Sequence, residues 1–364
     1  MTAPLNTALP VRFHQTAKAL RMTEPIAYPF PTPPAELQAV DVAPGIKWLR
    51  LPLPMAALDH VNVYALDDGC SWTLVDTGMA SKRSKAIWQG LLTGALGAKP
   101  VTRLIATHHH PDHLGLAGWF QDQGVELLTT RTAWLYARML TLDEHPRYTP
   151  ESLRFLTQAG VDKATVQARA EERPFNFCDI VSPMPSGFSR IDEGEVLHAG
   201  GRRWQVRLGQ GHAPDHATLW SLDDPIVLAG DQFLATISPN IGVYPTEPGA
   251  DPLSEWLTAC RRFRPLAQED HLILPGHKLP FTGLPGRLDA MIAEHEAGLN
   301  QLHAHLATPA RAVDCFTALF KRPIGPDTFN LALGETMAHL NCLWKAGRIT
   351  RTMAADGAWL WRAL

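Results

Sequence analysis

Long apolar runs, paired cysteines and a one-sided charge are all missing from this chain. No run of roughly 18 apolar residues occurs, so no transmembrane helix is expected. The five cysteines (Cys70, Cys178, Cys260, Cys315 and Cys342) are far apart and form no CxxC pair. That pattern speaks against a disulfide framework and a thiolate zinc site, and it fits a reducing cytoplasm. Lys plus Arg number 33 and Asp plus Glu 36, a net charge of −3. A dedicated nucleic-acid or membrane-surface binder is usually strongly basic, so neither is expected. Residues 1–21 carry Arg12, Lys18 and Arg21 without a continuous apolar core, so no secretory signal is expected; their lack of acids leaves an organelle presequence open. No long repeat or low-complexity tract appears. What is present, 45% hydrophobic and 19% charged over 364 residues, suits a soluble chain with one large domain and a smaller one.

Residues 1–44 read as an extended N-terminal arm, Pro-rich from about residue 22. β-prone runs follow at 48–53, 61–66 and 72–75, the last ending in Asp76-Thr77-Gly78. Ser81 is placed to cap a helix with the stripe Ile87, Leu91, Leu92 and Ala95. Strands are expected at 101–106 and 125–128, then a helical insert over 131–173 broken by Pro146, Pro150 and Gly160. Further strands fall at 203–208, 218–222, 226–228 and 272–274, with a helix near 252–264. Leu288, Ile292, His295, Leu299, Leu302 and Leu306 mark one face of a long helix. The large domain therefore spans 45–306, and 310–364 forms a second unit: helix 312–320, a helical region with Gly334 as a dividing point, and a hairpin about Asp356-Gly357. Helices followed by a hairpin describe a winged-helix-like module, and the whole is an α/β (α+β) chain.

The chemistry concentrates in Thr107-His108-His109-His110-Pro111-Asp112-His113-Leu114-Gly115, directly after the strand at 101–106. Alternation at i and i+2 suits an extended loop, which can aim His108 and His110 at one ion and Asp112 and His113 at a neighbour. Imidazole plus carboxylate suits zinc, with iron or manganese as alternatives. A solvated polar turn is the plain alternative, and the density of His and Asp after a buried strand weighs against it. Two ions need more ligands. Gly211-His212-Ala213-Pro214-Asp215-His216, Gly230-Asp231 and Pro275-Gly276-His277 each follow a predicted strand. Singly, each is an ordinary turn histidine or cap; together with the first cluster they supply three ligands per ion and a bridge.

This order, Asp76-Thr77-Gly78, His108-x-His110-x-Asp112-His113, His212, Asp231 and His277, resembles the metallo-β-lactamase superfamily across roughly residues 45–285. The resemblance implies an αββα sandwich with the site at one edge, between the sheets. It implies that His108, His110 and His212 bind a first metal, that Asp112, His113 and His277 bind a second, and that Asp231 bridges them. Asp76 would orient ligands by hydrogen bonding. His-Ala-Pro-Asp-His at 212–216, with the C-terminal module, looks like the β-lactamase-like protein 2 subgroup. Its animal members are single-strand-directed endoribonucleases, and many bacterial relatives are described only as hydrolases or as glyoxalase-II-like. Two departures concern substrate: the insert 131–173 enlarges the region expected to roof the site, and Leu116 stands where many members have a second glycine. His110 argues against the flavodiiron relatives, which carry glutamate there. Asp231, with no cysteine in a motif, argues against antibiotic hydrolysis.

The expected function is a hydrolase with two divalent ions and a bridging hydroxide, acting on a small ester or thioester. Asp112 is assigned a catalytic role in holding that hydroxide; His216 is read either as a proton donor to the leaving group or as a buried structural histidine. His109 is expected to point away from the metals, and Asn62, Asn240 and Tyr244 are candidate pocket residues. The alternatives are a single-strand endoribonuclease or phosphodiesterase and, in another class, a metal-sensing winged-helix regulator. The C-terminal module has seven basic against four acidic residues, which suits a packing or dimerisation module better than RNA contact. A small-molecule substrate is the expected partner, with RNA and a homodimer left open and no membrane.

Overall fold

A computed structural model of the chain describes residues 26–55 and 58–364; the presequence-like segment ending at Arg21 lies outside them. A seven-stranded sheet runs in the order of the chain: β1 (Val40–Ala43), β2 (Ile46–Pro52), β3 (His60–Asp67), β4 (Trp72–Val75), β5 (Val101–Ile105), β6 (Glu126–Thr129) and β7 (Ser189–Arg190). Its first four strands pair antiparallel and the rest parallel. The second sheet has the order β12 (Leu272–Pro275), β11 (Ile226–Gly230), β10 (His216–Ser221), β9 (Arg202–Gly209), β8 (Val196–Ala199), with only β11 and β12 parallel.

Pleating sends alternate side chains to opposite faces, and the sequence uses both. Trp48, Tyr64, Leu66, Ile105, Leu219, Leu228 and Leu274 form a core between the sheets. Their neighbours Leu49, Val63, Ala65 and Leu104 face the other way, onto α1 (Lys82–Thr93) and, beyond the one-turn α2 (Pro111–Leu114), α3 (Ala117–Gln121). Trp220, Val227 and Ile273 likewise turn outward onto α7 (Pro252–Phe263) and α8 (Leu284–His305). Ser81 caps α1 by accepting from the Ser84 N–H, as its position predicts. The architecture is thus a mixed α/β sandwich, helices outside and two sheets inside.

Between β6 and β7 the insert forms α4 (Arg131–Leu142), α5 (Pro150–Ala159) and α6 (Lys163–Glu171). After α8 come α9 (Phe316–Leu319), α10 (Pro326–Lys345) and the hairpin of β13 (Ile349–Met353) and β14 (Trp359–Ala363). Leu333, Met337, Leu340, Ile349 and Trp361 join the same core as α7 and α8, and so do Phe155 and Ala159 of α5. The C-terminal unit therefore shares its core with the second layer.

Two local expectations are corrected. The arm ends earlier than residue 44, because Val40–Ala43 pairs with β2 as an edge strand despite the prolines before it. Gly334 does not divide the helical region; α10 runs through it unbroken. An added Cβ there would lie 3.3 Å from the Val243 carbonyl oxygen, so the glycine allows a loop to lie against the helix.

Candidate metal centre

The site lies where β4, β5, β11 and β12 end together, and backbone hydrogen bonds tie the two sheets at that edge. The Ala217 N–H donates to Thr107 O at 2.8 Å, and the Asn62 N–H to Gly276 O at 2.7 Å. Parallel strands deliver their C-terminal ends to one side, which is why residues so distant in the chain meet. The extended-loop expectation holds only to His110. Pro111 then opens α2, so Asp112 and His113 sit on a helical turn, stabilised by the His113 N–H on His110 O.

Three groups of side chains bring potential ligand atoms within 4.8 Å of one another: His108, His110 and His212; His108, His113 and Asp231; Asp112, His113 and His277. Asp231 lies between the first and third. Its Oδ2 is 3.4 Å from His212 Nε2, 3.4 Å from His113 Nε2 and 3.3 Å from His277 Nε2. Asp112 Oδ2 approaches His277 Nε2 at 3.1 Å. Gly276 makes this convergence feasible, since a Cβ there would lie 2.3 Å from Asp231 Oδ1 and 2.6 Å from the His113 ring.

The far ring nitrogens are already engaged. His113 Nδ1 is 2.8 Å from Asp76 Oδ2, His212 Nδ1 is 2.8 Å from Asn240 O, and His277 Nδ1 is 3.1 Å from His60 O. His108 Nδ1 lies 3.0 Å from Thr107 Oγ1, whose own O–H can donate to Asp76 at 2.9 Å. With Nδ1–H directed at an oxygen at His113, His212 and His277, each ring is oriented so that Nε2, once free of its proton, presents its lone pair to a metal. Those Nε2 atoms at His113 and His212, with His108 Nε2 and Asp231 Oδ1, are buried without a hydrogen-bond partner among the described residues. Orphaned donors and acceptors of this number carry a heavy desolvation cost unless a cation satisfies them. The donor set therefore fits divalent metal.

Electrostatics point the same way. Burial depresses His113, but Asp231, Asp112 and Asp76 reverse this and hold it well above the ordinary histidine range. His277 is also depressed by burial and then raised, by Asp231 and Asp112, to about 10. Burial works to raise Asp231, yet His277 and His113 bring it well below the carboxylate range. His108 and His110, held by burial and by neighbouring imidazoles, lie well below the ordinary value. Without metal, the centre is a proton-filled ion-pair network on one side and neutral imidazole on the other.

Asp76 occupies φ +64, a strained conformation for a non-glycine residue, which lets both its oxygens turn back onto Thr107 and His113. His216 is corrected as a proton donor. It is fully buried, its Nε2 accepts the Asp231 N–H at 3.0 Å, and burial pushes it down to about 3. It supports Asp231 and stacks on His108, with ring centroids 4.5 Å apart. Asn62 is no pocket residue either; its amide donates to the Pro275 and Lys278 carbonyls and so pins the loop bearing His277. Asp215, at φ +51, receives hydrogen bonds from Gln210 and Thr132 and so ties the loop of His212 to α4. His109 stays outside the ligand groups, its ring centroid 5.2 Å from that of Tyr136. Leu116 is fully buried in the outer core of the first sheet. Sequence reasoning missed the orienting oxygens of Thr107, Asn240 and His60. Only Thr107 left a signal, as the first residue of the motif.

A family model described as "Metallo-beta-lactamase superfamily" matches residues 56–277, and one described as "Metallo-beta-lactamase-like, C-terminal domain" matches residues 299–364. The chain belongs to the metallo-β-lactamase superfamily, and it is a metal-dependent hydrolase of that group. It is similar to the Probable metallo-hydrolase YqjP of Bacillus subtilis (strain 168), 26% identical over 309 residues, covering 83% of this chain and 93% of that protein. Among solved structures it is similar to a beta-lactamase domain protein from Burkholderia ambifaria, with 33% identity, a TM-score of 0.85, and coverage of 93% of this chain and 98% of that one. The metallo-beta-lactamase family protein TTHA1429 from Thermus thermophilus is 27% identical, with a TM-score of 0.74 and coverage of 89% of this chain and 100% of that one.

Proposed function

We propose that this metallo-hydrolase works with two divalent ions, zinc by preference, and cleaves a small ester or thioester. The observation that carries the two-ion reading is the place of Asp231, whose Oδ2 lies within 3.4 Å of histidines from both outer ligand groups. His108, His110 and His212 would hold one ion, Asp112, His113 and His277 the other, and Asp231 would bridge. Such ions supply Lewis acidity and lower the pKa of water toward about 7. Asp76, Thr107, Asn240 O and His60 O aim the imidazoles. Of the two carboxylates, Asp112 has the more exposed side chain, 19% against 7% for Asp231. Asp112 would therefore be the better placed of the two to exchange a proton with solvent.

Two features support a small or apolar substrate. On α4, Tyr136 lies against His109, and the next turn carries the exposed Met139. In the C-terminal unit, which we read as winged-helix-like and of the β-lactamase-like protein 2 kind, three of the five arginines are engaged within the protein. Arg351 lies over Trp344 and Trp359 at 3.9 and 4.3 Å, Arg311 pairs with Asp356, and Arg348 donates to Asn300. That leaves Lys321, Arg322, Lys345 and Arg362 as the exposed basic residues of the unit, a small set for a long polyanion. Turnover by zinc-, iron- and manganese-loaded protein tests this, on S-acyl glutathione, aryl esters, phosphodiesters and single-stranded RNA. Thioester or ester hydrolysis is expected; hydrolysis of RNA alone would contradict the substrate reading, and inactivity on all four would sink the proposal.

A further inference from the structure

His212 depends on a main-chain oxygen, Asn240 O, and that oxygen belongs to the stretch 232–250, which has no helix or strand of its own. A carbonyl in such a stretch orients an imidazole only as well as the stretch itself is held. The holding comes from two helices beyond the sandwich sheets. Arg287 of α8 donates to the carbonyls of Leu234 and Ile237 at 2.7 and 2.9 Å. From α10, Gly334 O accepts the Val243 N–H at 3.0 Å, and the Asn341 amide donates to Pro248 O and Ala250 O. At Asn240 itself, Nδ2 donates to Glu335 Oε2 at 3.1 Å and to Leu331 O at 3.3 Å. Among the described residues, that amide is the hydrogen-bond partner found for the Glu335 carboxyl. Burial pushes the carboxyl up to about 7 against the pull of Asn240. A half-buried acid whose side-chain hydrogen bond is spent on this one amide, in a loop that orients a candidate ligand, has a local task.

We propose that Glu335 of the C-terminal unit is a positioning residue of the metal centre: through the Asn240 side chain it fixes the carbonyl that orients His212. The inference rests on reading His212 as a ligand. It gives the C-terminal unit a role in metal binding without any contact to the metal. What Asn240 requires is an acceptor, so a neutral amide at 335 serves and an apolar side chain does not. Losing the tether frees the 240 carbonyl, and ordering it again is then charged to each metal-binding event.

The test is zinc affinity of the metal-free full chain by chelator competition, with thermal melting of each metal-free variant alongside. Glu335→Leu and Asn240→Ala should each weaken zinc binding, at the ion that His212 would hold, by about 10–100-fold. The double variant should bind no worse than the poorer single one, because both cut one tether. Glu335→Gln should bind close to the unsubstituted chain, a rescue that general loosening of α10 does not produce. Unchanged affinity in Glu335→Leu and Asn240→Ala, additive losses, or equal loss in Glu335→Gln would overturn the inference. His212→Ala separates the two layers. If it weakens zinc while the tether variants do not, only the tether fails; if it leaves zinc unchanged, the ligand reading falls and the tether with it.

Discussion

Two pairs of buried histidines in this protein are driven in opposite directions by their neighbours. His113 and His277 at the metal centre stand above the ordinary histidine range, whereas His295 on α8 and His339 on α10 stand near 3 and 4. Burial depresses all four. At the centre, Asp231 and Asp112 approach Nε2 and outweigh it. Between α8 and α10, the partner of His295 Nδ1 among the described residues is His339 Nε2, at 3.4 Å, beside Trp256. A histidine cluster is thus a metal centre by virtue of its carboxylates and its aimed lone pairs; imidazoles packed together without them are core.

The sharpest break of this contrast is Asp231→Asn, which removes the charge that sets the centre apart. Turnover should fall by about 10³-fold or more, with both zinc affinities weakened. Kinetics and metal content check it, and near-native rates would contradict it. Asp76→Ala should cost about 10–100-fold in zinc affinity, since His113 loses the acceptor that orients it; unchanged affinity would contradict that.

A pH series sharpens the comparison next. Protons held on His113 and His277 must leave when metal binds, so zinc affinity should rise with pH, the gain persisting toward the raised value of about 10 at His277. Calorimetry in buffers of different ionisation heat should register proton release, and none would refute the account. The smallest effect belongs to the core pair. Their depressed values mean a stabilising contribution fully present above about pH 6.5 and lost as pH falls toward 4 and 3. Replacing both His295 and His339 by Leu should flatten the fall of melting temperature with acidification in metal-free protein. An unchanged slope would contradict the assignment.

How far the sequence carried this picture follows from the same physics. The candidate ligands were legible because side-chain type and strand-end position are written in the chain: His108, His110, Asp112, His113, His212, Asp231 and His277 do come together. Both sheets were legible in outline from β-prone runs, but the short strands β1, β7 and β8 were not. The orienting oxygens of Asn240 and His60 were not, because a carbonyl has no residue signature. His216 was ambiguous in sequence, and only the Asp231 N–H on its Nε2 decides its role. Gly334 looked like a helix break because glycine marks both breaks and close approaches, and only the loop lying on α10 separates the two.

The central claim is a centre of two ions bridged by Asp231, and zinc titration of the metal-free protein tests it most directly. The account predicts two equivalents bound per chain, with His212→Ala losing one and retaining the other. A single equivalent in the unsubstituted chain, or none, would contradict it.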